Sequence, residues 1–281
     1  MPETANIAVL QDFTCIAGLA MFLGLLGYKW LRLMRPQVAW NHEGLVSSQQ
    51  YGDMDLVAMT AGLALLLAGI MQPLSQVAAA PVNMPGVNEV ALGIFFQLML
   101  CCVLLVYLLH VRHLHPVELF GFTVVRWKPL AITIVLTLLP MFLIVGTAAV
   151  LSNDWMQRLT PGAQEQDLVR AFTQTDDTLL RVLIVLAAVV VAPVVEETLF
   201  RGFIYGVLKR YTDAPFAALL SGLFFAIIHM HTGSLLPLWV LALFFCAAYE
   251  ITGCLLAPMI LHAIFNSTSL IGMMLGWNAG T

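Results

Sequence analysis

Two glutamates, an arginine, two histidines and an asparagine interrupt the apolar second half of this chain at helical spacing. The first group lies in Ala192-Pro193-Val194-Val195-Glu196-Glu197-Thr198-Leu199-Phe200-Arg201-Gly202. Ionisable side chains deep in a bilayer are costly, so each one marks a candidate functional position. Glu197 and Arg201 stand four residues apart with the glutamate first, the favourable order for an ion pair on one helical face. Such pairing spares the helix an uncompensated charge. Glu196 points about 100° away around the helix and has no partner in its own segment. Its carboxylate can therefore serve as a general base for a proton within hydrogen-bond reach. Alone, the segment reads equally well as a polar clamp between helices.

Two further groups follow. In Phe224-Phe225-Ala226-Ile227-Ile228-His229-Met230-His231, Phe225 precedes His229 by four residues and can pack beside its imidazole. His231 falls nearer the end of the apolar run and reads as an interfacial residue. In Pro258-Met259-Ile260-Leu261-His262-Ala263-Ile264-Phe265-Asn266-Ser267, His262 and Asn266 share one face. An amide in hydrocarbon needs partners, because each unsatisfied group costs several kcal/mol. Taken singly, these pairs are interhelical hydrogen-bonders; their occurrence on three helices of one chain is what points to a shared site.

The elements that carry them are membrane helices. Of 281 residues, 60% are hydrophobic and only 10% charged, against about 25% charged in a soluble domain. The mean hydropathy is +0.91. A globule of this size cannot hide so much apolar surface, whereas a bilayer solvates it directly. The fold expected is all-α, a polytopic bundle of about eight membrane helices near 8–31, 54–72, 88–110, 127–151, 178–208, 214–231, 235–252 and 255–277. Each is close to or above the roughly 20 residues that cross about 30 Å of hydrocarbon. The first has no basic residues before it and reads as a retained helix rather than a leader. Residues 1–151 read as scaffold, 152–177 as an extracytosolic loop or interfacial helix with Leu159, Leu168, Val169 and Phe172 on its apolar stripe, and 178–281 as the core that holds the chemistry.

Lys29, Arg32 and Arg35, then Arg112, Arg126 and Lys128, then Lys209 and Arg210 all fall on one side of such a bundle. The positive-inside rule makes that side cytosolic and puts both termini outside a bacterial-type plasma membrane. The net charge is -4, with no basic run suited to nucleic acid. Cys15, Cys101, Cys102, Cys246 and Cys254 sit in apolar stretches without zinc-knuckle or redox spacing. At about 1.5 Å per residue from the cytosolic helix ends, Glu196 lies about 18 Å deep, His262 about 12 Å, Asn266 about 18 Å and His229 about 24 Å. Those depths are compatible with one cavity.

Glu196-Glu197-x-x-x-Arg201, Phe225-x-x-x-His229 and His262-x-x-x-Asn266, in that order, resemble the three motifs of the CAAX protease and bacteriocin-processing family of intramembrane proteases. The resemblance covers residues 178–277. It implies an endopeptidase whose Glu196 takes a proton from water that His229 orients, while His262 and Asn266 donate to the carbonyl oxygen as it becomes an oxyanion. Glu197, Arg201 and Phe225 then support them. A preorganised oxyanion donor is worth about 3–4 kcal/mol of barrier. No cofactor is favoured; if zinc were used, Glu196, His229 and His262 would be its ligands. Asn266 suits a carbonyl hydrogen bond better than a metal. The partners implied are the bilayer and a peptide or lipidated protein substrate, such as a prenylated tail, a bacteriocin leader or a signalling peptide. The competing readings are a non-proteolytic immunity or scaffold protein, in which the polar residues only join helices, and an ion-coupled transporter. The absence of repeat symmetry argues against the transporter.

Overall fold

The computed structural model describes residues 28–30, 33–34, 44–77, 85–123, 125–159, 167–229 and 231–275. Among them there are helices and turns and no strand, as expected for an all-α membrane protein. We number the helices α1 Asp53–Val77, α2 Val87–Val111, α3 Pro116–Leu119, α4 Trp127–Leu159 and α5 Asp167–Gln174. The remaining helices are α6 Thr178–Tyr211, α7 Ala214–Ile228, α8 Leu235–Thr252 and α9 Leu256–Met274, with the three polar motifs on α6, at the end of α7 and on α9.

Five of these are long and apolar enough to cross a membrane: α2, α4 through Ser152, α6, α8 and α9. That is fewer than the eight spans read from the sequence. Most of the 8–31 span lies outside the described residues. The 54–72 span corresponds to α1, and the 214–231 span shortens to the 15 residues of α7. Continuous α4 helix also extends through residues expected to be loop, to Leu159. α5 occupies part of the expected 152–177 connection; its Ala171 and Phe172 are buried against Val90, Leu180 and Ile184, so Phe172 packs into the protein rather than onto a membrane surface.

Large apolar side chains on α2 and α4, among them Phe95, Val135, Leu136 and Leu139, are exposed, as lipid-facing residues are. Lipid removes most of the hydrophobic drive between helices, so their association depends on close packing and interhelical hydrogen bonds. α7 meets α8 at Gly222, where a β-carbon would stand 3.1 Å from the Trp239 ring and 3.2 Å from the Ala242 methyl. α8 also packs along α4 through Leu241, Phe245 and Ala248 against Leu130, Met141 and Val145.

Polar side chains and connecting loops close one end of the bundle. Lys209 is fully buried at the end of α6; its Nζ donates to Glu250 Oε1 at 2.5 Å and to Val46 O at 2.8 Å. Tyr205 donates to the same carboxylate oxygen at 2.6 Å. Asp55, also fully buried, accepts from Arg112 Nε at 2.8 Å, Tyr107 Oη at 2.9 Å and the Gly52 N–H at 2.7 Å. Its hydrogen bond raises the Arg112 pKa above the ordinary arginine value. Arg210 donates to Gln49, and Leu255 N–H to Phe120 O at 3.0 Å. At Gly121, φ is +77° and a β-carbon would lie 1.9 Å from Gly253 O, so two loops touch through backbone alone. The basic residues Arg112, Lys209 and Arg210 thus share this end.

Removing one partner of a buried ion pair leaves an uncompensated charge, costing about 3–5 kcal/mol. Lys209→Met is therefore expected to lower the thermal unfolding midpoint in detergent, and Lys209→Met with Glu250→Gln to recover part of the loss. A single variant as stable as the parent would show that the pair does not hold this end together.

Candidate active site

The backbone of α6 departs from regular α-helix on both sides of its two glutamates. Ala187–Val191 and Thr198–Ile204 are π-helical, flanking the α-helical turn Ala192–Glu197. Pro193 has no N–H for the carbonyl one turn earlier, and its ring crowds that carbonyl. A wider turn just before the proline relieves the crowding. Such turns occur often at functional sites. Three carbonyls in these turns accept side-chain hydrogen bonds. Ala188 O takes Asn266 Nδ2 at 2.7 Å, Phe200 O takes Ser221 Oγ at 3.1 Å, and Gly202 O takes Tyr51 Oη at 2.6 Å. Burial pushes the Tyr51 hydroxyl well above its ordinary pKa, so it keeps the proton it donates.

Glu197 and Arg201 are fully buried and pair at 2.9 Å, as their spacing suggests. The guanidinium also lies 4.4 Å from the Phe225 ring centroid and 5.0 Å from that of Phe245, and Nη2 donates to Ala242 O at 3.4 Å. Glu197 has a second task that the sequence did not suggest. Its Oε1 meets His262 Nδ1 at 2.9 Å. That oxygen already accepts from Arg201, so the imidazole nitrogen is the donor and Nε2 is left facing the other way. Phe245 stacks on His262 with centroids 5.0 Å apart and 26° between the planes.

His229 is oriented in a similar manner. It caps α7, and its Nδ1 lies 2.7 Å from Phe225 O, one turn earlier. A carbonyl only accepts, so this nitrogen carries the hydrogen and Nε2 is again the free position. Phe225 sits against the ring at 4.7 Å. Both free Nε2 atoms approach one carboxylate oxygen: Glu196 Oε2 is 4.0 Å from His229 Nε2 and 4.0 Å from His262 Nε2. That oxygen is buried and has no hydrogen-bond partner among the described residues. The side chains of Glu196 and His229 remain 18% and 24% exposed, so the cluster meets the surface.

Glu196, His229 and His262 therefore converge, with Glu197, Arg201 and Phe225 packed behind them. Asn266 adjoins the group from the next turn of α9, but among the described residues its amide bonds Ala188 and none of the three. For a metal the set is wide. Donors around a tetrahedral zinc at about 2.0–2.2 Å lie roughly 3.3–3.6 Å apart. Among the described residues no three His, Cys, Asp or Glu form a group that could hold a metal ion. Phe245 carries no signal in the sequence, being one phenylalanine in an apolar helix. The second partner of Glu197 was hidden because it lies 65 residues away.

Fold and site together define a polytopic membrane protein with a half-buried carboxylate between two oriented imidazoles. Residues 178–268 match the family model described as type II CAAX prenyl endopeptidase, Rce1-like. The match takes in all three motifs, so the resemblance to the CAAX protease and bacteriocin-processing family holds over this segment. No curated protein and no solved structure matches the chain.

The two adjacent glutamates should separate in a stability assay. Glu197→Gln strips a buried arginine of its carboxylate and is expected to lower the unfolding midpoint on the scale of a broken buried pair, about 3–5 kcal/mol. Glu196→Gln should change stability by no more than about 1 kcal/mol. Equal losses would contradict the division of labour between the two.

Proposed function

We propose that the chain is an intramembrane endopeptidase, hydrolysing a peptide bond of a membrane-associated or lipidated substrate with water activated by Glu196 and His229. What carries the reading is the placing of one carboxylate oxygen 4.0 Å from each of two imidazole nitrogens whose other nitrogens are already engaged. A polar gap of that size is too long for a direct hydrogen bond and suits one bridging water. Glu196 accepts a proton from that water while His229 Nε2 holds it in line. The water oxygen attacks the peptide carbonyl carbon, and the proton passes on to the leaving amine.

The developing oxyanion needs donors. Asn266 has one amide N–H on Ala188 O and keeps a second for the substrate. His262 donates from Nδ1 to Glu197, so donating also from Nε2 makes it an imidazolium, and Glu197 is the carboxylate beside that charge. Each step uses the chain's own residues, and the donor separations are wide for zinc. Orientation follows from the loops. With the end that carries Arg112, Lys209 and Arg210 in the cytosol, both termini lie outside.

The test is cleavage of a lipidated peptide by purified protein in detergent or liposomes. A positioned general base contributes about 10²–10⁴-fold, so Glu196→Gln should lose at least about 100-fold in turnover. A lost oxyanion donor costs about 10²–10³-fold, the range expected for His262→Ala. Undiminished cleavage in both variants would remove the site assignment, and unchanged biological activity of Glu196→Gln would favour the immunity or scaffold reading. Inhibition by a chelator that zinc alone reverses would replace the metal-free mechanism.

A further inference from the structure

The two ends of the bundle offer the site very different access. Toward the basic end, every residue from Phe200 to Lys209 is buried, on all faces of α6. Beyond them, segment 44–52 is fastened over the fully buried Lys209 and Asp55, and the Phe120–Gly121 turn is hydrogen-bonded to Leu255. Among the described residues, α6 offers no exposed surface between Phe200 and Lys209 on that side.

The opposite end is built differently. α7 has 15 residues, about 22 Å at 1.5 Å per residue, against about 30 Å of hydrocarbon. It begins at the basic end, two residues after Thr212, and so stops short of the other surface. His229 sits at its tip, followed by the Thr232–Ser234 turn. Irregular backbone at membrane depth persists only where it is buried in protein or lines a watery cavity. His231, Gly233 and Ser234 are each partly exposed. α9 tells the same story from its sequence. Past His262, toward this end, it runs Asn266-Ser267-Thr268-Ser269, an unusual polar stretch for a span, and it has the lowest hydropathy of the five spanning helices. Seven residues, two helical turns, put Ser269 on the face of His262. The exposed parts of Glu196 and His229 thus lie in the half of the bundle that these polar residues share.

We infer that the site receives its water and its peptide from the end of the bundle opposite the basic loops, through a vestibule between the 229–234 turn and the polar stretch of α9. This rests on the proteolytic reading for the word peptide. With the basic loops cytosolic, the substrate is a segment presented on the extracytosolic side of the membrane, near its surface, and not a cytosolic C-terminal tail.

Sidedness of thiol labelling tests the route without requiring turnover, so the route and the proteolytic reading can fail separately. In a full-length chain with its native cysteines replaced, Ser269→Cys and Ser234→Cys are reacted with a membrane-impermeant maleimide in intact cells and in inverted vesicles. Ser47→Cys marks the basic end and Asp176→Cys the other. The thiolate is the reactive form, so a water-lined position should react about tenfold faster than the lipid-facing Leu139→Cys. The expected result is that Ser269→Cys and Ser234→Cys label from the same side as Asp176→Cys. Labelling from the side of Ser47→Cys, or from neither side, overturns the inference. Agreement of the two variants guards against one misfolding. If labelling follows the expected side while Glu196→Gln still cleaves, the vestibule stands and the catalytic assignment falls.

Discussion

A guanidinium buried in the middle of a membrane helix is the charge around which the rest of this core is arranged. Arg201 has no exposed surface and cannot shed its proton, so the protein must surround it with acceptors and aromatic faces. Glu197 supplies the counter-charge from one turn earlier, Ala242 a carbonyl from α8, and Phe225 and Phe245 their rings from α7 and α8. Three helices are thereby held at one depth. The same carboxylate then fixes His262 on a fourth, and the same two rings lie against the two histidines. An ion pair that looks like a structural clamp is also what sets the tautomer and direction of the imidazole facing Glu196.

The irregular backbone of α6 serves a related purpose. A helix carbonyl keeps a second lone pair beyond its ladder bond, which a neighbouring side chain can use. The π-helical stretches on either side of the glutamates carry Ala188, Phe200 and Gly202, and a side chain from α9, α7 and the segment before α1 bonds each carbonyl in turn. In a bilayer, where apolar burial between helices adds little, such side-chain hydrogen bonds contribute roughly 0.6–2 kcal/mol apiece and also fix rotation about the helix axis. Rotation matters here, because one residue of slip turns Glu196 by about 100° away from both histidines.

Much of this was legible in the sequence for physical reasons that can be named. Charge is expensive in hydrocarbon, so Glu196, Glu197, Arg201, His229 and His262 stood out by type alone, and the four-residue spacing of Glu197 and Arg201 announced their pair. Helix positions followed from apolar length: the expected 235–252 span coincides with α8, and 88–110 falls within one residue of α2. What spacing could not reveal was any contact between distant segments. Phe245 stacking on His262, the sharing of Glu197 between Arg201 and His262, and Tyr51 reaching Gly202 join residues 17, 65 and 151 positions apart. Nor does hydropathy register hydrogen-bond pitch, so the π-helical turns were hidden, although Pro193 marks the helix just after the first of them.

The polarity of the bundle from end to end ties these observations to one another. A carboxylate that must meet water cannot sit where the helix around it is buried on every face, and a charged end that must be held together cannot also be open. The chain separates the two needs along a single helix. From Phe200 onward α6 is enclosed, and its last turns are locked by Lys209 to Glu250 and Val46. Before that point Glu196 stays partly exposed toward the two histidines, while Val190 and Val194 point outward as lipid-facing residues do. The tip of α7 and the hydroxyl-rich stretch of α9 lie on the Glu196 side of Phe200 and not beside the locked turns. Rigidity is concentrated at one end and access at the other, and the buried arginine stands at the boundary between them.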